Sequence, residues 1–296
     1  SYDTPSTYDY GRFTVCKPGP WSQGPALLQQ LAILDGMGVA DMDPTGPDFV
    51  HVAVEAAKLA FADREAYYGD PNFIDVPMST LLGANYNAGR RSLITLEASG
   101  DLRPGHIDGY RIEIDMATAD RSGVEAAASM GVGEPTVAKT GVSTGDTVHL
   151  DIIDRHGNMI SCTPSGGWLQ SSPVIPKLGF CLGNRGQMFW LDESSPSALV
   201  PKKRPRTTLS TSLAMRDGEP YMVFGTPGGD QQDQWSALMF LHHADHGMNL
   251  QESIDCPSFH TEHFPSSFWP RGRSPRKVVL EGRFPEATIA ELKRRG

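Results

Sequence analysis

Thr147 is the residue whose type and setting first suggest chemistry. It stands between the polar stretch Thr144-Gly145-Asp146 and the run Val148-His149-Leu150-Asp151-Ile152-Ile153. β-Branched and aliphatic residues dominate that run, as a pleated strand prefers. Asp154-Arg155-His156-Gly157-Asn158 reads as a turn, and Met159-Ile160-Ser161-Cys162-Thr163 as the returning strand. Thr147 is therefore expected at the mouth of a buried hairpin, beside a flexible loop. As an ordinary residue it would be a β-branched strand start. Released from Asp146, it would carry a free α-amine with a pKa of about 8, partly unprotonated at neutral pH. That amine can reach the threonine's own hydroxyl, so one residue could supply both nucleophile and general base.

Acyl chemistry also needs donors for a developing oxyanion and anchors for the substrate. The segment Gly225-Thr226-Pro227-Gly228-Gly229 follows a predicted strand, Tyr221–Phe224. Glycine lets backbone N–H groups approach a ligand closely, which suits an oxyanion hole. A Gly-Gly pair is equally compatible with a plain turn.

Taken together, Asp146 to Asn158, the paired Gly228-Gly229, and the run Glu55 to Arg64 closing in Gly69-Asp70-Pro71 resemble the γ-glutamyltransferase family. The resemblance covers nearly the whole chain. It implies an N-terminal-nucleophile hydrolase whose precursor cuts itself before a threonine in a T-[TS]-H-like motif. Thr147 and His149 stand at the motif's positions, with Val148 replacing its hydroxyl residue. The implied fold is α+β, a four-layer αββα sandwich with antiparallel sheets. Residues 1–146 would be the C-terminal part of a large subunit, mostly helical and ending in a mobile linker. Residues 147–296 would be the small subunit, the two forming one intertwined domain. Large and small subunits would pair as a heterodimer, and a homodimer of these is compatible with the resemblance.

The same resemblance implies roles for particular residues. Thr147 would be the nucleophile, with cleavage between Asp146 and Thr147. Gly228 and Gly229 would form the oxyanion hole. Thr163 and Ser165 match hydroxyls kept near the nucleophile, and Thr207 and Thr208 match a serine pair that binds the substrate carboxylate. Gln187 and Trp190 fall in the substrate pocket. Relatives acting on γ-glutamyl compounds carry a carboxylate at the Trp190 position and an Asn at the Gly167 position. A buried ammonium left without its carboxylate costs several kcal/mol. The substrate is thus expected to be a γ-glutamyl amide such as glutathione, or another amide in the manner of a cephalosporin acylase. Water or an amine would accept the acyl group. An uncleaved, inactive binding protein is the remaining alternative. The implied mechanism needs no metal and no organic cofactor.

Composition narrows the class. A formal net charge of −9 argues against an extended nucleic-acid surface, despite the basic stretch Pro201 to Arg206. No stretch approaches the roughly 18 apolar residues of a transmembrane helix. The four cysteines show no metal-ligand spacing, and Cys162 and Cys181 are expected as buried free thiols. They leave the compartment open between cytoplasm and a periplasmic or secreted location. His242 and His246 lie four apart on a predicted helix, a zinc-compatible spacing without the usual glutamate. Asp63-Arg64 is expected to lock structure rather than to act on substrate. Helices are predicted over Pro25 to Leu34, Phe49 to Tyr68, 80–95, Gln232 to His246 and Pro285 to Arg294.

Overall fold

The computed structural model describes residues 2–112, 114, 134–135, 144–145, 147–166, 172–268 and 271–296. Asp146, Gly167 and most of the expected linker from Ala117 to Thr144 lie outside the described residues. Strands β1 (Ser6–Tyr10) and β2 (Phe13–Lys17) form an N-terminal hairpin. Helices α1 (Pro25–Leu34) and α2 (Pro47–Tyr67) follow. Proline opens each, where its missing N–H costs nothing. The helix expected over 80–95 is two pieces, α3 (Met78–Leu81) and α4 (Ala84–Arg91), divided at Gly83.

The short pairs β3 (Glu134–Pro135) with β4 (Thr144–Gly145), and β7 (Val174–Ile175) with β8 (Phe180–Cys181), are antiparallel. Between them lies the hairpin of β5 (Leu150–Ile153) and β6 (Met159–Cys162). A second hairpin joins β9 (Ser212–Arg216) to β10 (Glu219–Phe224) through Asp217 and Gly218, both at positive φ. That is the turn chemistry an Asp-Gly pair favours. Helices α5 (Gln232–Ala244) and α6 (Leu250–Asp255), the pair β11 (Phe259–Thr261) with β12 (Val278–Leu280), and α7 (Glu286–Arg295) complete the chain.

The main sheet has the order β1-β2-β9-β10 and is antiparallel throughout. Phe240 of α5 meets the rings of Tyr10, Phe13 and Phe224, so α5 seals one face of the sheet. Leu27, Leu28 and Leu31 of α1 join the same core. The α+β class with antiparallel sheets is as expected.

Helix α2 differs from an ordinary amphipathic helix. Every residue from Phe49 to Tyr67 is buried, including His51, Glu55, Lys58, Asp63, Arg64 and Glu65. Buried charges persist only where paired and hydrogen-bonded. Glu55 meets Lys58 and Arg103. Asp63 accepts from Gln29 at 2.6 Å, the Gly105 N–H at 2.7 Å and Tyr86 at 3.0 Å. Asp63 and Arg64, adjacent in sequence, serve separate networks.

Two expectations need correction. The β5–β6 hairpin is not buried: Ile152 is 54% exposed, and Leu150, Ile153 and Ile160 are exposed with it. Its β-branched and aliphatic residues were therefore a sign of strand but not of burial. Cys162 and Cys181 are free but only half-buried, because both belong to these outlying hairpins. The basic stretch at 201–206 also turns inward: Lys203 and Arg206 are buried, and Arg204 bridges Asp3 and Asp70.

Candidate active site

The β5–β6 register runs from Ile153 paired with Met159 through Leu150 paired with Cys162, and an isolated bridge extends it to Thr147 opposite Ser165. Alternation along a strand places residues two apart on one face. Thr147, His149 and Asp151 therefore form one polar row, with Ser165 and Thr163 across from the first two. The Thr147 hydroxyl lies 2.8 Å from the Ser165 hydroxyl. It also donates to the Gly228 carbonyl at 3.4 Å. Tertiary structure thus brings together three residues drawn from the sequence, Thr147, Ser165 and Gly228. Thr163 sits one step along the row, 2.8 Å from His149 Nδ1, while His149 Nε2 is 2.9 Å from Asp151.

Gly228 has φ of 134°, a conformation that favours glycine. Its carbonyl also accepts from the Gln232 side chain at the start of α5. Among the described residues, neither the Gly228 nor the Gly229 N–H has a hydrogen-bond partner. The peptide between them presents its carbonyl to Thr147, so its N–H points the other way.

Behind this loop lies a buried ionic network around Arg64, whose locking role was expected and whose partners Glu65, Arg206 and Asp230 were not. Arg64 is fully buried and meets Asp230 at 2.5 Å and Glu65 at 2.6 Å. Glu65 also holds Arg206 at 2.8 Å. Ser267 donates to Asp230 through both its hydroxyl, at 2.6 Å, and its N–H, at 2.9 Å. Burial pushes the Asp230 carboxyl up, but Arg64 and the Ser267 hydrogen bonds outweigh it and hold it below the ordinary range. Gln23 ties the parts together: it donates to the Gly229 carbonyl at 3.2 Å, accepts from Arg64 at 3.0 Å, and its N–H donates to the Thr207 carbonyl at 2.9 Å. The sequence signal available was the charge triplet Asp63-Arg64-Glu65 in a helix rich in alanine.

Thr207 and Thr208 are both buried; the Thr207 hydroxyl accepts from the Leu209 N–H, and the Thr208 hydroxyl has no partner among the described residues. Gln187 falls in a 3-10 turn over Arg185–Met188. Trp190 is not an open apolar surface. It is 7% exposed, and the Arg271 guanidinium lies 4.3 Å from its ring centre. Arg271 also donates to the Phe189 and Ser267 carbonyls at 2.8 and 3.0 Å and to that of Gln187 at 3.3 Å. Burial, reinforced by Arg206, lowers the Arg271 pKa to about 10. Ser267 thus links the glycine loop to the Gln187–Trp190 segment. Among the described residues Thr147 makes no hydrogen bond to Thr207, Thr208, Gln187 or Trp190; Gln23 links the glycine loop to Thr207, and Asp230, Ser267 and Arg271 link it to Gln187 and Trp190.

His242 and His246 use ring nitrogens on backbone carbonyls, those of Ser253 at 3.4 Å and Val39 at 3.0 Å. Their spacing is accounted for by helix packing. Among the described residues no helix is long and apolar enough to cross a membrane.

Over its full length the chain is 49% identical to the solved structure of LmbA2991HD, with a TM-score of 0.86 and 49% of that chain covered. It is 27% identical to the crystal structure of cephalosporin acylase from Bacillus halodurans, with a TM-score of 0.74, covering 99% of this chain and 45% of that one. It is 33% identical to the oxamate amidohydrolase proenzyme of Klebsiella pneumoniae subsp. pneumoniae, over 99% of this chain and 47% of the relative. The chain spans about half the length of the relatives it matches. The family model described as Gamma-glutamyltranspeptidase matches residues 1–296. With the fold, the Thr147 strand and the glycine loop in the family's order, the chain belongs to the gamma-glutamyltranspeptidase family, whose fold is that of the N-terminal-nucleophile hydrolases.

Proposed function

We propose that this chain carries the catalytic centre of a self-cleaving amidohydrolase. Scission between Asp146 and Thr147 divides it into a large-subunit part, 1–146, and a small subunit, 147–296. Thr147 then holds a free α-amine, which takes the proton as its Oγ1 attacks an amide carbonyl. The C–N bond breaks, the amine leaves with a proton, and water or an acceptor amine releases the acyl group. The observation carrying this reading is the Thr147 hydroxyl held between Ser165 and Gly228, at 2.8 and 3.4 Å. Gly228 and Gly229 supply N–H donors to the oxyanion, that of Gly229 once the peptide between them turns over, a motion that glycine's missing side chain permits.

The preferred acyl group is one without an α-ammonium. Trp190 stacked on the Arg271 cation stands where an ammonium would need a carboxylate. Glu65 and Asp230 balance Arg64 and Arg206, so these groups together with Arg271 carry one net positive charge. Such surroundings favour an anionic or neutral acyl group, in line with relatives named oxamate amidohydrolase and cephalosporin acylase. On this reading Thr207 and Thr208 bind the carboxylate of an anionic acyl group.

Intact-mass and N-terminal analysis of the full-length protein tests the first part. Wild type should give two fragments, one starting at Thr147, and Thr147→Ala a single chain; one uncut chain in both would leave the binding-protein reading. Hydrolysis of a glutaryl anilide faster than a γ-glutamyl anilide is the outcome expected for the second part.

A further inference from the structure

We infer that Asp151 and His149 are positioning residues for the nucleophile, acting through Thr163 and the backbone of β10. The inference rests on Thr147 being the nucleophile. His149 is 8% exposed at its side chain and touches three neighbours at once. Asp151 lies 2.9 Å from Nε2, and Thr163 lies 2.8 Å from Nδ1. Its ring also presses on Gly225, where an added Cβ would fall 2.3 Å from His149 Cε1.

Each contact has a consequence. A carboxylate only accepts, so Asp151 draws the proton to Nε2 and leaves Nδ1 bare. Bare Nδ1 accepts from the Thr163 hydroxyl. The tautomer is thereby set by Asp151, and the orientation of the Thr163 hydroxyl is set by the tautomer. Thr163 and Ser165 are two apart on one face, as are His149 and Thr147. The Asp151–His149–Thr163 row therefore clamps the strand pairing one step from the Thr147–Ser165 contact.

The contact with Gly225 adds the third dimension. Gly225 directly follows β10, and Gly228, three residues on, accepts from Thr147. The imidazole is a rigid spacer between the nucleophile's hairpin and the glycine loop. Its thickness sets how far the loop stands from Thr147, and displacements of about 1 Å in such a geometry cost on the order of a hundredfold in rate. Asp151 itself borders a cavity of about 590 Å³ between β10, α5, α6 and β12, so its removal leaves a space water can enter without disturbing the core.

The test uses full-length, self-processed protein and glutaryl-p-nitroanilide as probe. Asp151→Leu and Thr163→Val should each lower kcat about tenfold or more with KM within roughly twofold, because the nucleophile and not the acyl pocket is displaced. Thr163→Ser, which keeps the hydroxyl, should recover kcat to within about threefold of wild type. The double variant should be little worse than either single one, as expected for residues acting as a unit. Additive losses, or losses in KM alone, would overturn the inference. If wild type proves inactive on this probe and on γ-glutamyl-p-nitroanilide, the proposed function fails, and imidazole 15N shifts then judge the row. One protonated and one bare nitrogen in His149, with the bare one moved by Thr163→Val, would uphold it, and an unmoved spectrum would end it.

Discussion

Arg64 and Asp230, 166 residues apart in sequence, meet at 2.5 Å with the guanidinium fully buried. The contact fastens the longest helix to the residue directly after Gly229. It anchors the end of the glycine loop to α2. Asp230→Ala strands a buried charge, and breaking such a pair costs about 3–5 kcal/mol. The expected outcome is a clear drop in the thermal midpoint of the purified protein. Asp230→Asn, which keeps one acceptor for Ser267, should lose less. Equal melting of both variants and wild type would remove the anchoring role.

Ser165 is the closest polar partner of the Thr147 hydroxyl. Ser165→Ala should slow both self-cleavage and amide hydrolysis by about ten- to a hundredfold, since a positioned hydrogen bond is lost at the reacting atom. Stability should change by no more than about 1 kcal/mol. Timed gel analysis of precursor disappearance, beside a denaturant melt, separates the two effects.

Stability should fall as the solution is acidified below neutrality. Burial lowers the pKa of both His242 and His263 to about 4. Each folded value lies below the unfolded value of about 6.5, so the native state resists protonation that the unfolded chain accepts. Their stabilising effect is full above pH 6.5 and fades as pH falls toward 4. At pH 5 each forfeits about 2 kcal/mol relative to pH 7. The urea midpoint is expected to drop by about 1 M or more between those pH values. His263→Gln, which cannot titrate, should show a visibly smaller drop.

Gly69 ends α2 against the loop that carries Trp190. A Cβ there would sit 2.4 Å from the Pro196 carbonyl oxygen and 2.8 Å from Ile74. Backbone cannot give way as a flexible side chain can, so Gly69→Ala should destabilise by about 1–3 kcal/mol. It should also raise KM more than it lowers kcat, because the displaced segment holds the acyl pocket. Unchanged kinetics with lowered stability would detach Gly69 from the site.

Much of the local structure was legible. Prolines and glycines bounded α1 and α2, an Asp-Gly pair set the β9–β10 turn, and the β5–β6 hairpin followed from β-branched and aliphatic residues on either side of the turn Asp154-Arg155-His156-Gly157-Asn158. Strand β1 was missed because Ser6 to Tyr10 is polar and aromatic without a clean alternation, and gains its pairing only from β2. Helix α6 carries a capping box between Asn249 and Glu252 that spacing alone could have revealed. Burial was less legible than shape: the β5–β6 hairpin has the pattern of a core strand yet lies exposed, while the charged face of α2 is buried.

The sequence by itself determined the chemistry on offer. Thr147 at a strand start, His149 two residues on, and Gly228-Gly229 after a strand are readable because strand period and glycine conformation are local properties. Tertiary structure decided which of these groups meet. Only folding set Ser165 across from Thr147, Arg64 behind Asp230, and Arg271 on the face of Trp190, since those contacts join residues 18, 166 and 81 positions apart. Long-range pairing is settled by packing and by the need to satisfy buried charge, and neither is written in the spacing of neighbours along the chain.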